Sequence, residues 1–586
     1  MVMALYGVVV LFTGLAFARR ASRDTTEYFL GGRRIPWWVL GTSMVATTFS
    51  TDTPNLVTDI VRGSGVSGNW VWWAFVLTGM LTVFFYARLW RRSGVMTDMQ
   101  FYEIRYSGRP AAFLRGFRAA YLGIFFNVMI MATVTLAAVK IGGVLLGVSP
   151  LTVVLVAGSV TLLYSATSGL WGVVATDLLL FVVAMVGAIA AAVVAVGHPD
   201  VGGLSALMSH PNVAGRLSFL PDFSDPANAV AVFIVPIAVQ WWATWYPGAE
   251  PGGGGYAAQR MLAARNENDA LKAVLWFNVA HYALRPWPWI LVALASLVVF
   301  PDLASIQSAF PSVDPGIVRN DLAYPAMLSF LPAGWLGLVV ASLAAAYMST
   351  ISTHLNWGAS YVVEDLYRRF VAADRDDAHY VRVARLTTLG LTVLMGGLAL
   401  LLENALQAFQ ILLQIGAGTG LVFLLRWFWW RINAWSEISA MIVSFAVAVW
   451  FQLLHPLTGL PELSASAQLV LGVLVTTIGW VAVTFATPPV DRDVLRDFHE
   501  LVRPQGSGWG PVAGASTGTG EVPSESDGSW TAGIAAWFFA CVAVYGALFA
   551  TGSWLYGQRL TALALAAVAA AAAVAVLRLM RVLRIR

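Results

Sequence analysis

Four hydroxyl residues fall within five positions of one another in the middle of the chain: Ser349, Thr350, Ser352 and Thr353. At about 100° per residue they cover one wedge of a helix and present their oxygens to one side. A bare alkali cation is a hard ion that takes oxygen ligands, and neutral hydroxyls with backbone carbonyls can replace its water shell. One nearby carboxylate would complete the charge balance, and Asp177, inside another apolar stretch, is the candidate. The alternative is that the hydroxyls bond back to their own helix or to its neighbours. An isolated Ser/Thr pair favours that alternative; four together, beside two interrupted apolar segments, favour the cation.

Asp52, Lys140 and Arg285 are further ionisable residues inside apolar stretches, where charge is expensive and each is a functional hypothesis. Lys140 or Arg285 could recognise a carboxylate. Against that, Lys140 can snorkel from near a span end, and Arg285 can serve a carbonyl freed by Pro286 or Pro288. Gln407, Gln410 and Gln414 share a helical face and offer amide donors and acceptors, or else form a polar stripe between helices. Trp241, Trp242, Trp245 and Tyr246 could stack on a sugar ring or gate a pocket; aromatic residues at a span end also form the interfacial belt. His281 and His354 lack companions at metal-ligand spacing, so no metal centre of that kind is expected. The single Cys541 lies in an apolar run and reads as a small buried hydrophobe.

The elements that position these residues must be membrane helices. Of 586 residues 58% are hydrophobic and 11% charged, and the mean hydropathy is +0.72, more apolar surface than a soluble core could bury. Apolar stretches of about 20 residues, enough to cross roughly 30 Å of hydrocarbon, recur throughout. They predict spans at 2–18, 36–60, 69–91, 117–146, 150–168, 171–197, 228–248, 272–299, 328–362, 384–402, 405–430, 434–455, 466–487, 530–552 and 559–580. The alternating ten-residue strands of a barrel are absent. The first stretch has no charged region before it and reads as a retained span, not a signal peptide.

With the N-terminus outside, one threading puts every Arg-rich loop on the cytoplasmic side: Arg19–Arg34, Arg88–Arg118, Arg260–Lys272, Arg368–Arg385, Arg426–Arg431 and Arg492–Arg503. Arg62, Arg216, Arg319 and Arg559 fall opposite, and the C-terminus is cytoplasmic. The net charge of +4 is thus a matter of placement, and no nucleic-acid partner is expected. Two spans are interrupted, one near Ser50 to Pro54 and one by Pro247, Gly248, Pro251 and Gly252–Gly255. Broken helices survive at membrane depth where the freed backbone lines a cavity or binds something, and such a pair in matching positions of two halves marks a carrier's binding site. Arg492–Leu501 reads as a short amphipathic surface helix, and Pro504–Ser529, rich in Gly, Ser, Thr and Pro, as a flexible linker.

The stretch Tyr28–Trp38 (YFLGGRRIPWW), followed by Gly41 and Ser43–Asp52, resembles a signature of the sodium:solute symporter family. Phe101–Tyr106, Gly169–Asp177, Gln259–Ala264, the Ser/Thr helix running on to Asp365–Tyr367, and Phe423–Phe428 follow in the family's order over about 400 residues. The resemblance implies an all-α membrane protein of about 14–15 transmembrane helices, with a five-plus-five inverted-repeat core of the leucine-transporter type and extra helices at both ends. The organisation expected is 1–20 an N-terminal extra helix, 35–200 the first repeat, 226–431 the second, 432–488 additional helices, 489–529 the cytoplasmic linker and 530–586 the C-terminal helices.

It also implies a Na+ site formed by the carbonyls of Ala46, Phe49 and Ala346 with the hydroxyls of Ser349 and Thr350. A second Na+ site, present in some relatives, would use Asp177, Ser349, Ser352 and Thr353. Loss of Asp177 or Ser349 is then expected to impair coupling more than folding. Thr48, Asp52 and Thr53 would contact the solute, joined by Trp241, Trp245, Gln407, Gln410 and Gln414. The segment Trp245–Tyr256 departs from the better-known sugar carriers, so positions there do not transfer. The expectation is a multi-pass inner-membrane protein, a monomer, that couples Na+ to uptake of a small polar solute, with a sugar or polyol preferred and a carboxylate or amino acid as alternatives. A membrane sensor built on a carrier domain is the alternative from another class, and no kinase or phosphoacceptor module supports it. An enzyme would need a catalytic dyad or metal set that the sequence does not offer.

Overall fold

The computed structural model describes residues 23–48, 50–244, 251–311, 313–402, 413–513 and 530–585, with isolated residues before 23. Helices account for nearly all regular structure, and no β-strand forms among the described residues. In chain order they include α1 (Thr25–Leu30), α2 (Trp37–Thr48) and α3 (Asp52–Ser64), then α4 (Val66–Ser93) and α5 (Gly108–Leu146). After α6 (Pro150–Val196) come α7 (Pro226–Ala243), α8 (Gly255–Ala263), α9 (Glu267–Val299), α10 (Ala333–Val371) and α11 (Asp377–Ala399). Helices at Gly420–Leu425, Ala434–Leu457 and Ala465–Ala486 precede two C-terminal helices, Trp530–Leu555 and Arg559–Val582.

Eleven of these helices are long and apolar enough to cross a membrane. The other predicted spans have local causes. Span 36–60 is the pair α2 and α3, each too short to cross alone. Spans 150–168 and 171–197 are the two limbs of α6, bent at Gly169, whose φ of 55° and ψ of −169° suit a residue without a side chain. Span 405–430 is described only from 413, and span 2–18 lies almost wholly outside the described residues.

The breaks follow from local chemistry. Pro54 has no N–H to donate but is tolerated in the first turn of α3, so the chain restarts a helix there after Ser50 and Thr51. The second break separates α7 from α8. Thr244 turns extended after α7, Gly252 and Gly253 take φ of 80° and 84° before α8 begins, and Pro247 and Gly248 lie outside the described residues. The two breaks fall near the starts of the two segments, 35–200 and 226–431, expected as repeats. α2 packs between α9 and α6, and α6 lies along α10, so the first break lies close to the hydroxyl-rich stretch of α10.

The predicted basic loops meet on one side. Arg33 donates to the carbonyls of Gly94 and Val95 at 2.6 and 3.0 Å, Arg92 pairs with Glu267 at 2.6 Å, and Arg369 pairs with Glu103 at 2.9 Å. Arg62 and Arg216 meet on the other, where Arg216 donates to the Arg62 carbonyl at 2.6 Å and Arg62 to Asn320 Oδ1 at 3.2 Å.

The linker reading needs correction. Arg492–Val502 does form an amphipathic helix, but its Leu495, Phe498 and Val502 are buried in the protein, where Phe498 meets Phe101 and Trp427. Beyond it Trp509 is buried and donates to the Trp427 carbonyl at 2.8 Å. One large indole thus anchors what composition alone reads as free chain; residues 514–529 lie outside the described part.

Candidate functional site

The hydroxyls of α10 do converge on its neighbours, but in two groups. Thr350 donates to the Thr47 carbonyl, in the last turn of α2, at 2.7 Å. Ser349 donates to Asp177 Oδ1 at 2.5 Å, and Ser43 of α2 donates to Asp177 Oδ2 at 2.5 Å. Thr353 lies 3.1 Å from the Thr47 hydroxyl, while Ser352 bonds back to the Ser349 carbonyl at 3.1 Å. All of these side chains are buried, as are Ala46 and Ala346. Phe49 lies outside the described residues.

The second group contains a cation that the sequence reading placed in a loop. Arg260 of α8, fully buried, donates to Thr353 Oγ1 at 2.8 Å, to Ser43 Oγ at 3.3 Å and to Gln259 Oε1 at 2.8 Å. Asp177 and Arg260 thus face each other across the Ser43 hydroxyl. The available signal was Arg260's position directly after the Gly-rich break, which carries it into the membrane on a half-helix.

Beside this locus lies a cavity of about 180 Å³ between the broken helices. Thr47, Thr48 and Thr350 line it, so the hydroxyl-rich stretch of α10 and the cavity share a wall. Asp52 and Thr53 line it as expected, and Asp52 Oδ1 is buried with no partner among the described residues. The aromatic lining is Trp72, Phe75, Tyr256, Phe277, His281, Tyr282 and His354. Trp72 stacks on Tyr282 with centroids 5.9 Å apart and meets His281 edge-on at 5.8 Å.

Other expected contacts lie elsewhere. Trp241 packs on Trp537 and donates to the Ile237 carbonyl at 2.7 Å, away from the cavity lining. Gln414 donates to Gln468 at 2.5 Å and accepts from Gln452, so its amide serves the interface with the additional helices. Trp245, Gln407 and Gln410 lie outside the described residues. Asn278 and Thr78 line the cavity and were missed, being neutral polar residues in otherwise apolar spans.

The buried cations are already engaged. Lys140 pairs with Asp321 at 2.6 Å, both buried. Arg285 lines the cavity but spends its guanidinium on the carbonyls of Val45 at 3.1 Å and Thr48 at 2.9 Å, at the C-terminal end of α2, and on His281. The carbonyls it serves are freed by the break in the first broken helix, not by Pro286 or Pro288. His354 also lines the cavity, with its Nδ1 held 2.7 Å from Asn127 Oδ1.

The profile of the sodium:solute symporter family matches residues 28–444. The sodium/glucose cotransporter of Vibrio parahaemolyticus is 25% identical over 468 residues, 77% of this chain and 84% of that one. The sodium/sialic acid symporter NanT of Aliivibrio fischeri is 25% identical over 75% of this chain and 85% of its own. Sodium/myo-inositol cotransporter 2 of Mus musculus is 26% identical over 76% and 69% respectively. A solved structure of a Na+-coupled sialic acid symporter, substrate-bound and outward-open, shares the fold with a TM-score of 0.65 at 20% identity, covering 84% of this chain and 98% of that one.

Proposed function

The chain belongs to the sodium:solute symporter family, a Na+-coupled secondary transporter and not an enzyme, and on that premise we propose that it takes up a neutral polyhydroxylated solute by alternating access. The charge balance of the cavity carries this reading. Arg285 is matched to the negative end of α2, and Asp52 opens α3, where the positive end of a helix favours a carboxylate. The Arg285 charge is not left over for an anionic solute, and Asp52 keeps an acceptor oxygen open toward a hydroxyl. What remains are aromatic faces suited to sugar rings and polar atoms suited to hydroxyls. Two relatives are named for glucose and myo-inositol, solutes of that class.

Na+ in this reading is held by the carbonyls of Ala46 and Ala346 and the hydroxyls of Ser349 and Thr350, an all-oxygen set. Because Thr47 and Thr350 line the cavity and bond to each other, an ion joining α2 to α10 also sets the wall against which the solute docks. Ligand-free, the two halves are less constrained; with ion and solute bound, the closed arrangement is favoured. The basic face is cytoplasmic, the transporting unit is one chain in the cytoplasmic membrane, and the membrane potential adds about 2.3 kcal/mol per charge per 100 mV to inward movement.

The test is uptake of labelled D-glucose and myo-inositol into proteoliposomes. An inward Na+ gradient is expected to drive accumulation that K+ does not support, and Ser349→Ala or Thr350→Ala to raise the Na+ concentration for half-maximal uptake roughly tenfold, the worth of one lost charge-assisted ligand. Equal uptake in K+ would overturn the coupling; Na+-driven uptake confined to carboxylates or amino acids would overturn the substrate class.

A further inference from the structure

Asn278 on α9 is fully buried and lines the cavity. Its amide Nδ2 donates to the Val274 carbonyl, one turn back, at 2.8 Å. That bond fixes which way the amide lies, because the reverse orientation would set two carbonyl oxygens against each other. Oδ1 is therefore turned away from its own helix, and no donor among the described residues reaches it.

The wall it faces is shaped to admit it. Gly79 of α4 lies opposite, and a Cβ at that position would overlap Asn278 Oδ1. The residue before it, Thr78, also lines the cavity, and its hydroxyl oxygen is buried without a partner. An amide acceptor and a hydroxyl with both roles open thus stand together on the same side of the cavity, and Asp52 Oδ1, likewise unpartnered, comes from α3. Buried polar groups in native proteins are otherwise almost all satisfied, so such a cluster marks where a ligand supplies the missing partners.

We infer that Asn278 and Thr78 form a recognition point for one hydroxyl of the solute: that hydroxyl donates to Asn278 Oδ1, which lies against Gly79, and accepts from Thr78 Oγ1. The inference rests on the symporter reading and sharpens it. An ether or carboxylate oxygen accepts from Thr78 and leaves Asn278 unmet, whereas a hydroxyl donates to Asn278 and accepts from Thr78. With Asp52 as the second acceptor, the solute must present at least two hydroxyls, one toward α3 and one toward α4 and α9.

The test pairs variants with analogues: Na+-dependent uptake of D-glucose and myo-inositol, then of their single-deoxy and deoxyfluoro analogues, by the unmodified chain and by Asn278→Leu. In the unmodified chain one deoxy position is expected to cost on the order of tenfold or more in half-saturation, and fluorine, which accepts but does not donate, not to restore it. In Asn278→Leu that one penalty is expected to vanish while the penalties at other positions persist, and Asn278→Asp, which keeps an acceptor oxygen, to retain it. Thr78→Val provides the same comparison where Asn278→Leu yields no folded protein. If Asn278→Leu scales all analogues equally, or changes none, the residue is structural and the inference falls while the symporter reading stands. If the unmodified chain takes up neither polyol, the substrate reading falls and the inference with it.

Discussion

Asp177 and Arg260 show how two charges can share a membrane interior without touching. Ser43 donates to the carboxylate at 2.5 Å and accepts from the guanidinium at 3.3 Å, so one hydroxyl passes the interaction between them. Removing either partner leaves a buried charge uncompensated, which costs about 3–5 kcal/mol. Asp177→Asn and Arg260→Gln are each expected to lower stability by about that much, and the double variant by clearly less than the sum, read as a double-mutant cycle in thermal unfolding. Strict additivity would mean the two are independent. This sets a folding cost beside the expectation that loss of Asp177 impairs coupling more than folding. At the basic face the balance is different. Burial pulls the Glu103 carboxyl upward, but Arg369 at 2.9 Å and Arg115 at 2.5 Å outweigh it and hold the group below its usual range. A depressed carboxylate contributes stability that is fully present above its unfolded value near 4.3 and is lost as pH falls through the lower folded value. The unfolding-temperature difference between the unmodified chain and Glu103→Gln should therefore be constant at neutral pH and close in acid below about pH 4.

The half-helices are where local sequence and tertiary need meet most sharply. Gly253 holds φ of 84° just before α8, and a Cβ there would stand 2.7 Å from the Met261 methyl. Gly253→Ala is expected to cost at least about 1–3 kcal/mol for the backbone alone. Gly397, inside α11 with open space around it, is the internal comparison: Gly397→Ala is expected to be neutral or stabilising, since alanine suits a helix interior by about 1 kcal/mol. Melting temperatures of the two variants in detergent check both; a neutral Gly253→Ala would show that the segment before α8 relaxes freely. Elements of this kind were legible in the sequence because their causes are local. Apolar length marks the spans, Pro54 and the glycine run mark the breaks, and Gly169 separates two limbs that hydropathy already divided. The partners across the bundle were not legible. Nothing near Arg285 indicates that it will reach the carbonyls of α2, nothing near Asn278 that a missing Cβ on α4 will receive its oxygen, and the glutamines of 407–414 carry the same polarity whether they face a cavity or, as Gln414 does, another helix. Trp509 in a Gly/Ser-rich stretch shows the same limit from the other direction.

Across the whole molecule the charged side chains separate onto two faces, and that separation fixes a sidedness that can be measured. On one face Arg33, Arg92, Arg115 and Arg369 tie neighbouring loops together through carbonyls and carboxylates; on the other, Arg62 and Arg216 do so with Asn320 and backbone oxygens, close to the buried Lys140–Asp321 pair. Membrane insertion retains short Arg-rich loops in the cytoplasm, so we propose that the first face lies inside. Cys541 is the sole cysteine and is buried, which leaves a nearly silent background for a thiol probe. Ser224, in the exposed connection after α6, and Asp374, in the exposed connection after α10, fall on opposite faces in this threading. Ser224→Cys is expected to react with a membrane-impermeant maleimide in intact cells, and Asp374→Cys only after the membrane is opened. The reverse pattern would invert the direction of ion and solute movement relative to the basic face, and labelling of both from outside would break the single threading that places the two halves in register.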